Sequence, residues 1–429
     1  MIRNCSNLSK RFVNFLPFFV VKALHQMRGF SRKKMLIRTG AQNSAGESRR
    51  LLFDVTRVSK LNRLTGISRV IIELGRSLAT ISPTNTVELV FFRLSKNGQL
   101  IEAPVPALEK NPPSANNASE QEISVLKGDV FLFPDVTGAP AGPRPKEIFR
   151  LRAVGAKVFF VGYDMLPLTH KNLFTKMSRA VYLDWTRSVL NSDGVLSISE
   201  ASRREFEEAL GSAALRKNPF FRTFVIQLGA TPPAQFRDSS LRARKEKLGG
   251  GFCFLMVGTL EPRKGYLEVL EVFDRLWREG QDHTLTIIGG KGWKTEKLIN
   301  RITHHREYGK RLKWLSEASD KDLWEEYHAS DALIANSSAE GFGLPLIEAS
   351  LSGLPLIVNR IPPFQEIAGN QAFYFESGLP ESLRSAILNW TKLYQTGKHP
   401  DSSGIDVKTW DEVAGKVISS IILPHKSEK

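Results

Sequence analysis

Residues 332–348 read Ala332-Leu333-Ile334-Ala335-Asn336-Ser337-Ser338-Ala339-Glu340-Gly341-Phe342-Gly343-Leu344-Pro345-Leu346-Ile347-Glu348. The first four residues are a short apolar run of the kind that fills a buried strand. Gly341 and Gly343 let the backbone turn and come close to a ligand. Pro345 suits the first turn of a helix, where its missing N–H is harmless. The reading is strand, glycine turn, helix start. The free amides of that turn, with the helix dipole, suit a diphosphate. Glu340 before the helix and Glu348 inside it are placed to accept hydrogen bonds from vicinal hydroxyls of a ribose or a hexose. A structural loop with a solvated glutamate at each end is the plainer alternative, but it leaves the agreement of spacing, glycines and placement unexplained.

The same alternation runs outward in both directions. After position 46, apolar runs predict strands at Leu51–Val55, Val87–Phe92, Val130–Phe133, Val158–Val161, Val195–Ile198 and Phe224–Gln227. Further runs lie at Phe252–Val257, Leu285–Ile288, Ala332–Ala335, Leu356–Val358 and Ala372–Phe375. Helical stretches separate many of them, among them 67–80, 146–154, 200–210, 266–278, 294–307, 320–328 and 346–351. Strands alternating with helices give parallel sheets covered on both faces. Residues 95–127 are polar and rich in Pro, Asn and Ser, and read as an exposed excursion. Thr231-Pro232-Pro233, followed by charged residues to Lys247, reads as a linker. The expected organisation is an N-terminal segment 1–46, a Rossmann-like domain 47–231, a linker 232–248 and a second Rossmann-like domain 249–429. The terminal helix is expected to return to the first domain. Ligands of such sheets bind beyond the carboxyl ends of the strands.

A second glycine turn follows the first strand of the second half: Val257-Gly258-Thr259-Leu260-Glu261-Pro262-Arg263-Lys264-Gly265. Gly258 ends the strand, and Arg263 and Lys264 stand just before a helix. Two cations at the carboxyl end of a strand can neutralise a diphosphate leaving group. Taken alone, an Arg-Lys pair is more often a solvated surface pair.

The chain has 429 residues, with 60 Lys and Arg against 44 Asp and Glu, a formal charge of +16. Such an excess favours anionic partners. Two cysteines, Cys5 and Cys253, can neither staple a fold of this size nor supply zinc spacing, and they suit a reducing compartment. No apolar run is long enough for a spanning helix. The first 46 residues carry no Asp or Glu, but contain Arg3, Lys10, Arg11, Lys22, Arg28, Arg32, Lys33, Lys34 and Arg38 around the run Phe15-Leu16-Pro17-Phe18-Phe19-Val20-Val21. This segment reads either as an anchor on an anionic membrane surface or as a plain basic arm. No recognition helix, RNP-type motif or zinc knuckle points to nucleic acid.

The two turns carry a resemblance. Residues 252–369 are similar to the C-terminal domain of the family 4 glycosyltransferases, which have the GT-B fold: two Rossmann-like domains with the active site in the interdomain cleft. Glu340 to Glu348 matches that family's E-x7-E motif, and Gly258 to Gly265 its donor-phosphate motif. The resemblance implies that Glu340 holds the donor sugar, Glu348 the ribose, and Arg263 and Lys264 the diphosphate. It implies donor contacts from Gly258, Gly341, Phe342 and Gly343, retention of anomeric configuration, and no metal or other cofactor. In the first half, Phe53-Asp54-Val55-Thr56 followed by Thr65-Gly66-Ile67-Ser68-Arg69-Val70 resembles mannosyl- and rhamnosyltransferases of bacterial surface polysaccharides. Gly66 is then either a donor-facing glycine or a simple helix-start glycine. Tyr163-Asp164-Met165-Leu166-Pro167 aligns with that subgroup's His-Asp-Leu-Ile-Pro, with Tyr163 in place of the His. Asp164 is a candidate acceptor or cleft residue, and Ser199 a candidate helix cap.

Two features are set aside, and one stays open. Asp320-Lys321-Asp322 follows Ser319 at a helix start, where acidic residues serve the cap and dipole. His304-His305 is expected mid-helix, where neighbours point about 100° apart. Gly289-Gly290-Lys291-Gly292-Trp293 follows a strand; the family resemblance implies a base-pocket loop there, and a plain turn is the alternative. The resulting expectation is a retaining transferase. It moves a hexose, mannose first, from a nucleotide-diphosphate sugar to a saccharide or lipid-linked acceptor in surface polysaccharide biosynthesis. Such an enzyme is expected in the cytoplasm, or peripheral on the inner face of the membrane. A sugar-nucleotide epimerase of the same fold and an inactive glycosyltransferase-like binding subunit are the alternatives.

Overall fold

The computed structural model describes residues 37–39, 49–60, 65–82, 87–95, 98–104, 121–135, 143–236, 250–376, 378 and 380–422. Most of the basic segment 1–46 and most of the charged stretch before Gly250 lie outside the described residues. The chain divides into two compact units, 1–228 with 410–429, and 229–409. Residues 229–236 therefore go with the second unit, and the helix Trp410–Ile421 with the first.

The short strands β1 (Arg38–Thr39) and β5 (Ser124–Val125) pair with each other. The main sheet of the first unit has seven strands: β2 (Arg49–Asp54), β3 (Val87–Leu94), β4 (Leu100–Glu102), β6 (Val130–Phe133), β7 (Lys157–Gly162), β8 (Gly194–Ser197) and β9 (Arg222–Val225). Their order is β4-β3-β2-β6-β7-β8-β9, parallel except for β4 on β3. The excursion expected at 95–127 thus includes an antiparallel edge strand, β4, whose Leu100 and Ile101 are buried. Its three residues are too few to show a period. Chain order reverses between β2 and β6. At this switch point Arg57 pairs with Asp135 at 2.9 Å.

Some helices of the first unit start on side-chain caps. α1 (Gly66–Ile81) starts on a capping box in which the Thr65 hydroxyl accepts from the Ser68 amide. It buries Val70, Ile71, Leu74 and Leu78. α2 (Pro145–Val154), α3 (Leu166–Thr169), α4 (Lys176–Val189), α5 (Glu200–Phe206) and α6 (Ser212–Lys217) follow. Ser199 caps α5 by accepting from the Ser202 amide at 2.9 Å.

The second sheet has six parallel strands: β10 (Cys253–Val257), β11 (Thr284–Ile288), β12 (Leu312–Leu315), β13 (Ala332–Ala335), β14 (Leu356–Asn359) and β15 (Phe373–Phe375). Their order is β12-β11-β10-β13-β14-β15, so order reverses between β10 and β13. Its helices are α7 (Tyr266–Arg278), α8 (Glu296–Thr303), α9 (Asp320–Ala329), α10 (Leu344–Leu351), α11 (Pro362–Ala368) and α12 (Pro380–Gln395). α7 buries Val269, Leu270, Phe273 and Leu276, at the i, i+1, i+4, i+7 spacing of one helix face, against Phe254, Leu285 and Trp390. α13 (Trp410–Ile421) then packs on α1 in the first unit.

The histidine pair departs from expectation. α8 ends at Thr303, with His304 as its cap, so neither histidine lies mid-helix. His305 Nε2 sits 2.6 Å from Asp274 Oδ1, which gives it a structural partner. The Asp320–Asp322 pair behaves as read: Asp322 and Ser319 form a reciprocal capping box.

Candidate active site

The two glycine turns leave adjacent strands, β10 and β13, at the switch point of the second sheet. In an open α/β sheet this is where loops diverge and leave room for a ligand. Gly258 has φ +138, and a Cβ there would stand 3.3 Å from Lys264 Cε. The missing side chain is what lets Lys264 fold back along the loop. Pro262–Lys264 make one turn of 3-10 helix, closed by Gly265 at φ +69. A Cβ at Gly265 would come within 2.3 Å of Asn336 Nδ2, so the loops after β10 and β13 touch through a glycine.

Three of the expected site residues meet here. Lys264 Nζ donates to Glu340 Oε1 at 2.5 Å, and Arg263 Nη1 lies 2.6 Å from Glu340 Oε2. Arg263 also donates to the Ala339 carbonyl at 2.9 Å, and its Nε lies 2.8 Å from Glu261 Oε2. Ser337 Oγ donates to Glu340 Oε1 at 2.7 Å. Asn359 holds the Ser337 carbonyl at 2.9 Å, tying the cluster to β14. Two cations and two carboxylates thus share one largely buried cluster, its side chains 9–15% exposed.

The two carboxylates respond oppositely to that burial. Burial raises Glu340, but Arg263, Lys264 and the Ser337 hydroxyl outweigh it and hold its pKa at about 2. Glu261 is raised: burial dominates, with Glu340 adding repulsion, and Arg263 and Lys264 offset only part. Burial, then Glu261 and Glu340, push the Tyr266 hydroxyl well up, and it donates to the Gly258 carbonyl at 2.6 Å.

Glu348 lies on α10 and is 5% exposed. Its Oε2 accepts from the Tyr327 hydroxyl of α9 at 2.7 Å. Gly343 precedes α10 with φ +138, and Pro345 sits in its first turn. The Phe342 side chain is 3% exposed, so a ligand at this turn would meet its backbone and not its ring. Gly289, at the end of β11, crosses under the first turn: a Cβ would lie 1.9 Å from the Gly258 carbonyl oxygen, at φ +152. Gly289→Ala is therefore expected to destabilise the second unit by about 1–3 kcal/mol, read as a lower denaturation midpoint. An unchanged midpoint would show that the loops separate at no cost.

The remaining expected residues lie in the first unit. A Cβ on Gly66 would meet open space. Asp164 Oδ1 accepts from the Leu166 amide at 3.0 Å and from the Tyr182 hydroxyl at 3.1 Å. Tyr163 is buried, and its hydroxyl donates to the Pro134 carbonyl at 2.9 Å, where it braces β7 against the loop after β6. Burial also raises it well above an ordinary tyrosine.

Sequence reading assigned no role to Glu261, Ser337 or Tyr327. Glu261 stood inside the quoted motif; its place two residues before Arg263 was the available signal. Ser337 and Tyr327 reach the site only through the fold.

The profile described as "Glycosyl transferases group 1" matches residues 238–404. The serotype-specific mannosyltransferase WbdA of Escherichia coli is 31% identical over 382 residues, 87% of this chain and 46% of WbdA. The O-antigen chain mannosyltransferase RfbU of Salmonella typhimurium is 32% identical over 140 residues, 33% of this chain and 38% of RfbU. The chain spans about half the length of the WbdA relatives it matches. Among solved structures, the catalytic domain of Starch Synthase IV from Arabidopsis thaliana, bound to ADP and acarbose, has a TM-score of 0.55 at 13% identity, covering 87% of this chain and 96% of that one. Anabaena HepE with UDP and glucose has a TM-score of 0.51 at 18% identity, covering 87% and 95%. Residues 238–404 are thus matched by the group 1 glycosyl transferases, and with its two doubly wound sheets the chain has the GT-B fold.

Proposed function

We propose that the protein is a retaining hexosyltransferase. It takes mannose from a nucleotide-diphosphate donor, GDP-mannose first, and passes it to a saccharide or lipid-linked acceptor during surface polysaccharide synthesis. One observation carries the reading: Arg263 and Lys264 cross the switch point of the second sheet to converge on Glu340. The mannosyltransferase names of the relatives support the choice of sugar.

The chemistry follows from the charges. The glycosyl–phosphate bond breaks through an oxocarbenium-like state, and negative charge grows on the departing diphosphate. Arg263 and Lys264 would stabilise that charge, with the amides before α10. An arriving diphosphate competes with Glu340 and Glu261 for these cations, which frees Glu340 to accept from sugar hydroxyls. Glu348, fixed by Tyr327, would accept from the ribose. The acceptor oxygen bonds to the anomeric carbon on the face the phosphate leaves, and its proton passes to the leaving phosphate. No metal is required in this scheme. The basic segment 1–46 would hold the protein on the inner face of an anionic membrane, near a lipid-linked acceptor.

A thermal-shift panel of GDP, UDP and ADP tests donor recognition. A ligand at a hundred times its dissociation constant adds about 2.7 kcal/mol of stability. A flat response to all three would remove the nucleotide site. Glu348→Ala is expected to weaken nucleotide-sugar binding by about 1.5–3 kcal/mol, the loss of a charged hydrogen-bond acceptor. Calorimetric titration of a folded variant with unchanged affinity would take Glu348 out of the site.

A further inference from the structure

The first unit carries an apolar and basic edge that neither the site nor the fold uses. Among the described residues five large apolar side chains stand exposed. Three of them, Phe149 at 71%, Leu215 at 51% and Phe220 at 76%, belong to two segments of this unit. α2 buries Glu147, Ile148 and Leu151, so Lys146, Phe149, Arg150 and Ala153 form its outer face at helical spacing. Phe220 stands out from the turn after α6, while its neighbour Phe221 turns inward and stacks on Phe206.

These segments meet. Arg152, near the end of α2, donates to Asp193 Oδ1 at 3.2 Å, and Asn218, two residues before Phe220, reaches the same oxygen at 3.4 Å. The edge lies beside the amino ends of β7, β8 and β9, away from the carboxyl ends where a ligand of this sheet would bind. Its charge is one-sided. Lys146, Arg150, Lys157, Arg216 and Arg222 are exposed, and among the described residues none of them pairs with a carboxylate. Residues 145–157 and 212–222 contain one carboxylate, Glu147, which is buried and held by Arg144 at 2.7 Å.

Exposed phenylalanines gain nothing in water, and unpaired cations beside them repel one another. An anionic lipid surface satisfies both, since rings enter the headgroup boundary while cations meet phosphates. We propose that this edge, centred on Phe149 and Phe220, docks the first unit on an anionic bilayer. The proposal does not depend on the catalytic reading or on residues 1–46. A protein partner would call for carboxylates opposite the cations, and a second copy would bring like charges together.

Flotation of the full chain with phosphatidylcholine vesicles, with and without phosphatidylglycerol, tests it. Burying one Phe raises partition on the order of tenfold or more. The double variant Phe149→Ser, Phe220→Ser is therefore expected to lose about a hundredfold in binding to the anionic vesicles, with its thermal midpoint unchanged because both rings are exposed. Lys146→Glu with Arg150→Glu is expected to weaken binding at low salt far more than at high salt. Parent-like flotation of the Phe variant would overturn the proposal. So would a parent dimer in sedimentation velocity that the same variant abolishes, since the edge would then be an interface between copies.

Discussion

Glu340→Gln is expected to destabilise the second unit by about 3–5 kcal/mol. The amide keeps the shape of the side chain but removes the anion that Arg263 and Lys264 share. Glu261 then faces both cations alone, and the Ser337 hydroxyl loses a charged acceptor. Exposure of 9–15% leaves some solvent screening, so the lower end of that range is expected. Chemical denaturation reads the loss. Added nucleoside diphosphate should restore more stability to the variant than to the parent, because it supplies the missing negative charge. The pH dependence has a definite sign. Glu340 falls from an ordinary 4.5 to about 2 in the folded protein, so its contribution is present above pH 4.5 and is lost as pH falls toward 2. Glu261 is raised, so its contribution has the opposite sense: present below 4.5 and lost as pH rises through its folded value. The variant should therefore lose the Glu340 part of the acid sensitivity between pH 4.5 and 2. An equal slope in parent and variant across that window would mean that the pairing contributes nothing to folding.

The double change Arg263→Ala, Lys264→Ala is expected to lower kcat on the order of a hundred- to a thousandfold, with a smaller change in nucleotide-sugar affinity. The cations are neutralised by Glu340 and Glu261 before the donor arrives, so part of their attraction for the ground state is offset by giving up those pairs. In the proposed reaction the diphosphate would gain charge as the glycosyl bond breaks, and the balance would move toward it. Interactions that strengthen only then appear in kcat. Single-turnover rates and a direct binding titration on the folded variant separate the two. Activity within a few-fold of the parent would end the leaving-group role, and a loss confined to affinity would make the pair a binding element only.

Legibility followed burial. Val130–Phe133 and Ala332–Ala335 stand at their sequence-read bounds because both are apolar runs buried from both faces. Strand β12 escaped notice: in Leu312-Lys313-Trp314-Leu315 an exposed Lys interrupts the run at the sheet edge. The histidine pair was misplaced because the pattern from 294 to 307 continues past Thr303, while the chain turns there on bonds from His304 and His305. In the site, spacing and glycines marked Glu340, Arg263 and Lys264 as belonging to two loops after strands, and Glu348 to the helix that follows the second. They did not show that these loops leave neighbouring strands, since β10 and β13 are separated in sequence by about 75 residues and pair only through the sheet order. For the same reason Tyr327 behind Glu348 and Ser337 beneath Glu340 carried no sequence signal.

The central claim is that the cluster of Arg263, Lys264 and Glu340 serves glycosyl transfer from a nucleotide-sugar. Its most direct measurement is incubation of the full chain with sugar-labelled GDP-mannose and a mannose-bearing acceptor, followed by separation of products and assignment of the new anomeric centre. The account predicts release of GDP, label in a lengthened saccharide with the donor's anomeric configuration kept, and loss of both in Arg263→Ala, Lys264→Ala. A folded parent that consumes neither GDP-mannose nor any other nucleotide-sugar offered in its place, or a double variant that transfers as fast as the parent, would contradict it.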